Sequence, residues 1–368
     1  MIIPARRWIA TAAGTTVLAA GAGCGAARRA GASPPPECGG GAATSQTAAS
    51  PVDAGDTAAR LPSAGPLLRL VADVPLPGPP VRFDYQAVDT AAGRLYAAHM
   101  NAGTLLVFDT RARRVVADLP GFASVHGVLA VPELGKVYAA VTGGRHVAVV
   151  DARTLRVLAR PGPIGYPDGI AYAPEARRVY VSDQSSAGRE LVIDGRTDRV
   201  VGTVALGGEA GNTVYDPGSR CVWVAVQTRN QVVAIDPRTD SIVGRFALEG
   251  ARHPHGLAVD PRRQLLFVAN EGAATLLVVD LRTMQVISTH PVGDGPDVLA
   301  FDPGPGRLYV AAESGTVSIF HVRGRDLVHA GDLRMPHAHT VAVDPATHRV
   351  YFPLQEVNGR PLLRIMAP

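Results

Sequence analysis

Imidazole and carboxylate side chains recur at one phase of this chain: Asp84, His126, Asp168, His255, Asp297 and His339, with Gly211 in the one remaining place. Neutral imidazoles and carboxylates converging on a point are what a divalent cation needs, and mixed nitrogen and oxygen donors suit zinc or another borderline transition metal. In that chemistry His126, His255, His339 and Asp168 are the candidate metal ligands, and a bound ion would lower the pKa of its water toward neutrality. Asp168 or Asp183 is then the candidate catalytic base. His253 and His337 each precede a ring histidine by two residues. In an extended segment residues two apart point the same way, so these two join the candidate ligands. Glu209 lies two residues upstream of Gly211 and could reach into the gap. A His or Asp at such a place can instead hydrogen-bond a neighbouring backbone and tie adjacent units together, and the sequence leaves both uses open.

The phase is set by a repeat. An aromatic residue follows each of these positions by 12, at Tyr96, Tyr138, Tyr180, Trp223, Phe267, Tyr309 and Tyr351, with separations of 42, 42, 43, 44, 42 and 42. The clearest copy runs from His253 to Asp297. Its GLAVD, LLFVAN, TLLVVD and QVISTHPV runs are β-branched or apolar and are separated by Asp-Pro-Arg-Arg, Glu-Gly-Ala-Ala and Asp-Leu-Arg-Thr turns. Four short antiparallel strands cannot bury their faces alone. A unit of this length that recurs must stack on its neighbours, so the chain predicts an all-β, seven-bladed β-propeller over residues 66–368. The last copy ends one strand short, after LLRIM. Residues 67–76, LLRLVADVPL, resemble a fourth strand and would complete the seventh blade, removing an exposed sheet edge.

Antiparallel alternation sends the first-to-second and third-to-fourth turns of every blade to one face and the remaining connections to the other. The ring of His and Asp opens each innermost strand and is expected at one mouth of the central channel. Three residues beyond the aromatics lie His99, Asp183 and Asn270. These are expected beside Asp84, Asp168 and His255, which makes Asp84, His99, Glu209, Asn270 and Asp297 candidate ligand-binding residues. The opposite, turn face collects one cation per blade, Arg94, Lys136, Arg178, Arg220, Arg263, Arg307 and Arg349, and a second set at Arg111, Arg153, Arg196, Arg238 and Arg282. The same turns carry Asp109, Asp151, Asp194, Asp236 and Asp280, which can satisfy turn backbone groups and balance charge. A polyanion or nucleic-acid surface there is a third reading, prompted by a pI of 9.1. Lys136 is the sole lysine, however, so the basic balance reflects arginine usage throughout.

Residues 1–24 have the layout of a signal peptide: Arg6 and Arg7, an apolar stretch of small residues, then Ala-Gly-Cys at 22–24, which would suit lipoprotein processing at Cys24. Arg-Arg-Trp-Ile also resembles a twin-arginine export signal. Residues 25–65, rich in Ala, Gly, Pro and Ser, read as a disordered tether. An extracytoplasmic monomer follows, attached to a membrane through a lipid anchor if at all. Three cysteines are too few for a disulfide framework; Cys38 falls in the tether, and Cys221 reads as a buried thiol.

The VYVSD, LFVAN and LYVAA strands, each followed by V-x-VID or V-x-VVD and a Gly-aliphatic-Ala-x-Asp-Pro entry, resemble the YVTN or YncE-like β-propeller repeat proteins of bacteria. That resemblance covers residues 67–368. It implies a cell-surface binding protein, a DNA-binding envelope protein or part of a larger redox protein, and the leading expectation is a binding or interaction protein whose partner is a small molecule, a protein or a cell-envelope component. Residues 166–183, YPDGIAYAPEARRVYVSD, are similar to the cation-binding stretch of gluconolactonase-type propellers, with Asp168 and Asp183 at the matching positions and Asp84 where that family has Glu. Zinc-dependent propeller lyases are similar in drawing one histidine from several blade entries, as His126, His255 and His339 would be. These likenesses imply a metal-dependent hydrolase or lyase as the alternative activity. No Cys-x-x-Cys-His motif for covalent haem is present.

Overall fold

The structure, a computed structural model, describes Cys38 and residues 67–368. The expected signal peptide, Cys24 and nearly all of the expected tether lie outside the described residues. Seven four-stranded antiparallel sheets are arranged as blades, and the innermost strands contact one another in a closed ring. Among the described residues the helical segments are five single 3₁₀ turns. The representative copy forms its strands at Pro254–Asp260, Leu265–Asn270, Thr275–Asp280 and Gln285–Pro291, matching the four sequence runs.

The strand Arg69–Pro75 pairs antiparallel with Arg360–Ala367 as the fourth strand of blade seven. Leu68 and Leu76 at its ends are buried. Arg364 holds Asp73 through two hydrogen bonds, Nε to Oδ1 at 2.8 Å and Nη2 to Oδ2 at 2.6 Å. The final blade is therefore built from both ends of the propeller chain, and Arg360–Ala367 is not left as an open sheet edge.

The seven registering aromatics are all 0–1% exposed. They fill the wedge between neighbouring sheets, where a large flat side chain buries the most area per residue. Two reach across with their hydroxyls as well: Tyr138 donates to Asp198 at 3.2 Å, and Tyr180 donates to Asp240. Lys136 Nζ contacts the same Asp198 at 2.7 Å and donates to the Gly195 carbonyl at 2.9 Å.

The turn-face cations are used in similar ties. Arg178 pairs with Asp194 at 2.6 Å, Arg263 with Asp260 at 2.7 Å and Arg94 with Asp109 at 3.4 Å. Arg349 donates to the Thr110 carbonyl of blade one at 3.3 Å. Asp109, Asp151 and Asp194 accept backbone N–H groups within their own turns. Much of the positive charge expected on this face is thus balanced locally.

One cysteine expectation is overturned. Cys38 and Cys221 form a disulfide across 183 residues of sequence. Cys221 opens the second strand of blade four, and the Cys38 N–H donates to the Ser219 carbonyl at 3.2 Å, so the residue expected in a free tether is docked on the blade. Cysteines so far apart in sequence have no local spacing signature, and the pairing is visible only in three dimensions.

Candidate functional site at the channel mouth

Each inner strand enters beside the next with almost no clearance. A Cβ on Gly127 would lie 1.9 Å from the Asp168 carbonyl oxygen, and one on Gly256 would lie 1.8 Å from that of Asp297. Glycine after the ring residue lets neighbouring blades press backbone to backbone, which draws the preceding His and Asp side chains onto one mouth. Gly211 itself is confined, a Cβ there meeting the His255 Cα at 3.1 Å.

The mouth holds a cavity of about 180 Å³ lined by Asp84, His126, Asp168, His255 and Asp297 together with Arg82, Tyr85, Tyr166, Gln184, Glu271 and Glu313. His339 completes the ring, its Nε2 lying 3.9 Å from Asp84 Oδ1. All six His and Asp residues at the recurring position are therefore brought together, as their spacing predicts.

Their contacts divide the ring into two halves. On one side His126 is fixed through both nitrogens: Nδ1 lies 2.8 Å from the Ser124 carbonyl and 2.8 Å from Thr142 Oγ1, and Nε2 lies 3.1 Å from the Tyr166 hydroxyl. His255 Nε2 faces Asp297 Oδ1 at 3.2 Å, the Tyr85 hydroxyl at 3.3 Å and Asp168 Oδ2 at 3.9 Å. On the other side Asp84, Asp297 and His339 each present a ligand atom, all within 4.8 Å of one another, and His339 Nε2 is buried without a hydrogen-bond partner among the described residues. Arg82 reaches Glu313 at 2.7 Å and Asp297 Oδ2 at 3.7 Å.

Asp84 and Asp168 are each only 2% exposed. The nearest imidazole nitrogens to the Asp84 carboxyl are those of His126 at 3.8 Å and His339 at 3.9 Å, beyond hydrogen-bond range. Burial raises the Asp168 carboxyl to about 6, with His255 opposing and Asp84 adding to the rise. Burial alone would lower His255, but the hydrogen bond and charge of Asp297, helped by Asp168, outweigh it and raise the imidazole to about 9. The Asp297 carboxyl is held low by His255, against the effect of its own burial. The lining thus brings five carboxyl groups, Asp84, Asp168, Asp297, Glu271 and Glu313, around one guanidinium, Arg82, and the imidazoles of His126 and His255.

Several expected members lie elsewhere. His99 stacks on Phe83 with ring centroids 4.0 Å apart, fully buried and away from the cavity, and its burial lowers its pKa. Asp183 accepts from the backbone N–H groups of Gly165 and Tyr166 at 3.1 and 2.8 Å and pairs with Arg189 at 3.1 Å. Asn270 donates to the Gly250 carbonyl and to Thr275, and accepts the Arg252 N–H. These three brace loops. His253 has φ of 57° and His337 φ of 66°, so neither lies in an extended segment and the rule that residues two apart align does not apply. His253 instead pairs with Glu271 at 3.0 Å, and His337 is exposed. The half-buried Glu209 uses its backbone, its N–H donating to Thr228 Oγ1 at 3.0 Å and its carbonyl accepting from Gln227, and its side chain does not line the cavity.

The missed residues carry a signal of their own. Four residues beyond the aromatics, rather than three, stand Thr142, Gln184, Gln227, Glu271 and Glu313. Side chains alternate at the end of a strand, so a shift of one residue exchanges a loop brace for a mouth residue. Gln184, Glu271 and Glu313 line the cavity, and Thr142 orients His126.

No family model and no curated protein matches the chain. Among solved structures it is similar to a chain of Kuenenia stuttgartiensis hydrazine synthase, with a TM-score of 0.69, 14% identity, and coverage of 80% of this chain and 96% of that one. At that identity the likeness supports the propeller fold and nothing of the activity.

Proposed function

We propose that the protein is an exported binding propeller of the YVTN type, and that its mouth receives a positively charged ligand. One observation carries this reading: Asp84 and Asp168 are nearly fully buried on the wall of a cavity of about 180 Å³, and among the described residues neither carboxyl has a hydrogen-bond donor in range. Buried carboxylates are costly unless paired, and a fold that only needed to tie its blades together would have satisfied them. A cation entering the cavity would supply the missing partner. The repeated strands and the leader-like first 24 residues support the family and the export.

A metal-dependent hydrolase or lyase is the second reading. Asp168, with its carboxyl near 6 and a place on the cavity wall, is suited to take a proton from a bound water at neutral pH. Asp183 is spent on its loop and drops out as a base. The polyanion reading is the least supported, since Arg94, Lys136, Arg178 and Arg263 are already paired with carboxylates.

The test is thermal unfolding of the untagged full chain against panels of small cations and anions. Stabilisation by at least one cation that is absent in Asp84→Asn and Asp168→Asn supports the proposal. Stabilisation by anions alone refutes it.

A further inference from the structure

The two halves of the mouth differ in a way that specifies the cation. His126 and His255 are committed to neighbours, through Tyr166, Ser124 and Thr142 in one case and Asp297 and Tyr85 in the other. His339 is not. The residue is 5% exposed, its Nε2 is buried without a hydrogen-bond partner among the described residues, and it faces Asp84 Oδ1 at 3.9 Å. An imidazole nitrogen left bare beside two carboxylates lacks what a proton or a metal ion would provide.

We propose that Asp84, Asp297 and His339 form a binding site for a divalent first-row transition-metal ion. This rests on the cation-receiving reading above and narrows it to one chemistry. The three ligand atoms lie within 4.8 Å of one another. The centre of a triangle of that side is about 2.8 Å from each corner, so each group closes in by well under ~1 Å to reach the ~2.1 Å of a metal–nitrogen or metal–oxygen bond. Blades one, six and seven supply one ligand each. The ion would sit at the closure of the ring, beside the blade assembled from both ends of the propeller chain.

The donor set chooses among ions. One imidazole nitrogen disfavours calcium and magnesium, which take oxygen ligands, and the two carboxylates exclude the soft, thiolate-preferring ions. Zinc, manganese, iron(II) and cobalt(II) fit. Three protein ligands leave at least one position open toward the cavity, which is the arrangement of a site that binds or activates something further. Asp297 would exchange part of its contact with His255 and Arg82 for the ion, and Arg82 retains Glu313. His126 remains outside the coordination shell because both of its nitrogens are already engaged.

The test uses the full chain without a histidine tag, freed of metal with chelator and then titrated with zinc, manganese, cobalt and calcium chlorides by calorimetry. Cobalt additionally reports its ligands through its visible absorption. The expected result is one site per chain, with zinc and cobalt well above calcium. Asp84→Asn and His339→Ala should each weaken zinc binding by at least about tenfold, the loss expected when even a supporting residue of a metal site is removed. His329→Ala, on the outer strand Asp326–Arg334 and outside the cavity lining, should leave it unchanged. Circular dichroism and the metal-free melting temperature show that each variant is folded. If Asp84→Asn or His339→Ala unfolds, His339→Gln, which keeps the volume, takes its place. Zinc bound equally by His339→Ala, or no stoichiometric binding by the unaltered chain, overturns the metal site. If guanidinium or a small amine then still stabilises the chain and requires Asp84, the broader cation reading survives while the metal proposal falls.

Discussion

Replacing Asp168 by Asn should make the metal-free protein more stable, and increasingly so as the pH rises. Asp168 has an ordinary value of 3.8, and burial moves it to about 6 in the folded chain. For an acid whose folded value is raised, the folded state prefers the protonated form. Its contribution is neutral below 3.8, becomes unfavourable between 3.8 and 6, and is fully unfavourable above 6. A displacement of about two units corresponds to about 3 kcal/mol at 1.36 kcal/mol per unit. Part of this is returned, because Asp168 also helps to hold the charge on His255 at 3.9 Å, and removing it lowers that imidazole. The net gain for Asp168→Asn should fall at about 1–3 kcal/mol near pH 7.5 and vanish near pH 4. Urea unfolding of both proteins at the two pH values, in the presence of chelator, measures it. A variant that is less stable than the parent at pH 7.5, or a gain that does not grow with pH, would show that Asp168 is a structural tie between blades and would remove the main support for a ligand-receiving mouth.

Other outcomes follow from the same structure. Glu190 is fully buried, desolvation pushes its carboxyl well above the ordinary value of 4.5, and one carboxyl oxygen has no partner among the described residues, so Glu190→Gln should stabilise the fold above pH 4.5 with no gain below it; a variant destabilised at pH 7 contradicts this. Deleting residues 67–76 removes Leu68, Leu76 and the Asp73 pairing and should cost about 3–6 kcal/mol from the two leucines alone, read as a large fall in melting temperature; an unchanged melt refutes the closure. Reducing the Cys38–Cys221 disulfide should lower stability by no more than about 5 kcal/mol, the loop-closure limit for 183 residues, and peptide mapping without reductant should recover the two cysteines joined. Retention on heparin should be weak at low salt and absent near physiological salt; tight retention there would restore the polyanion reading.

The fold was legible because its signal is redundant. Tyr96 through Tyr351 mark seven units, and each unit must bury that aromatic against the next, so spacing and packing point to one answer. The missing fourth strand after Met366 was legible for the same reason. The ring of His and Asp was legible in position but not in role. Which imidazoles are free depends on contacts that a repeat does not encode: Thr142 and Tyr166 occupy His126, Asp297 and Tyr85 occupy His255, and no described residue occupies His339 Nε2.

Three failures have separate causes. His99, Asp183 and Asn270 were placed at the mouth because they end the correct strands, but they sit on the wrong side of the alternation, one residue short of Gln184, Glu271 and their equivalents. The spacing of His253 and His337 from the ring histidines predicts an extended backbone, which their positive φ contradicts. The Cys38–Cys221 pair joins residues with no shared motif, and the first of them lies in a stretch whose composition predicts no fixed position at all.

The most direct test of the account is a crystal of the full chain grown with zinc or manganese, with diffraction recorded on both sides of the metal absorption edge. The expected result is a single strong anomalous peak at the channel mouth, about 2.1 Å from a carboxylate oxygen of Asp84, one of Asp297 and Nε2 of His339. A mouth without a peak, in which the imidazoles and carboxylates have closed onto one another through hydrogen bonds, would contradict it.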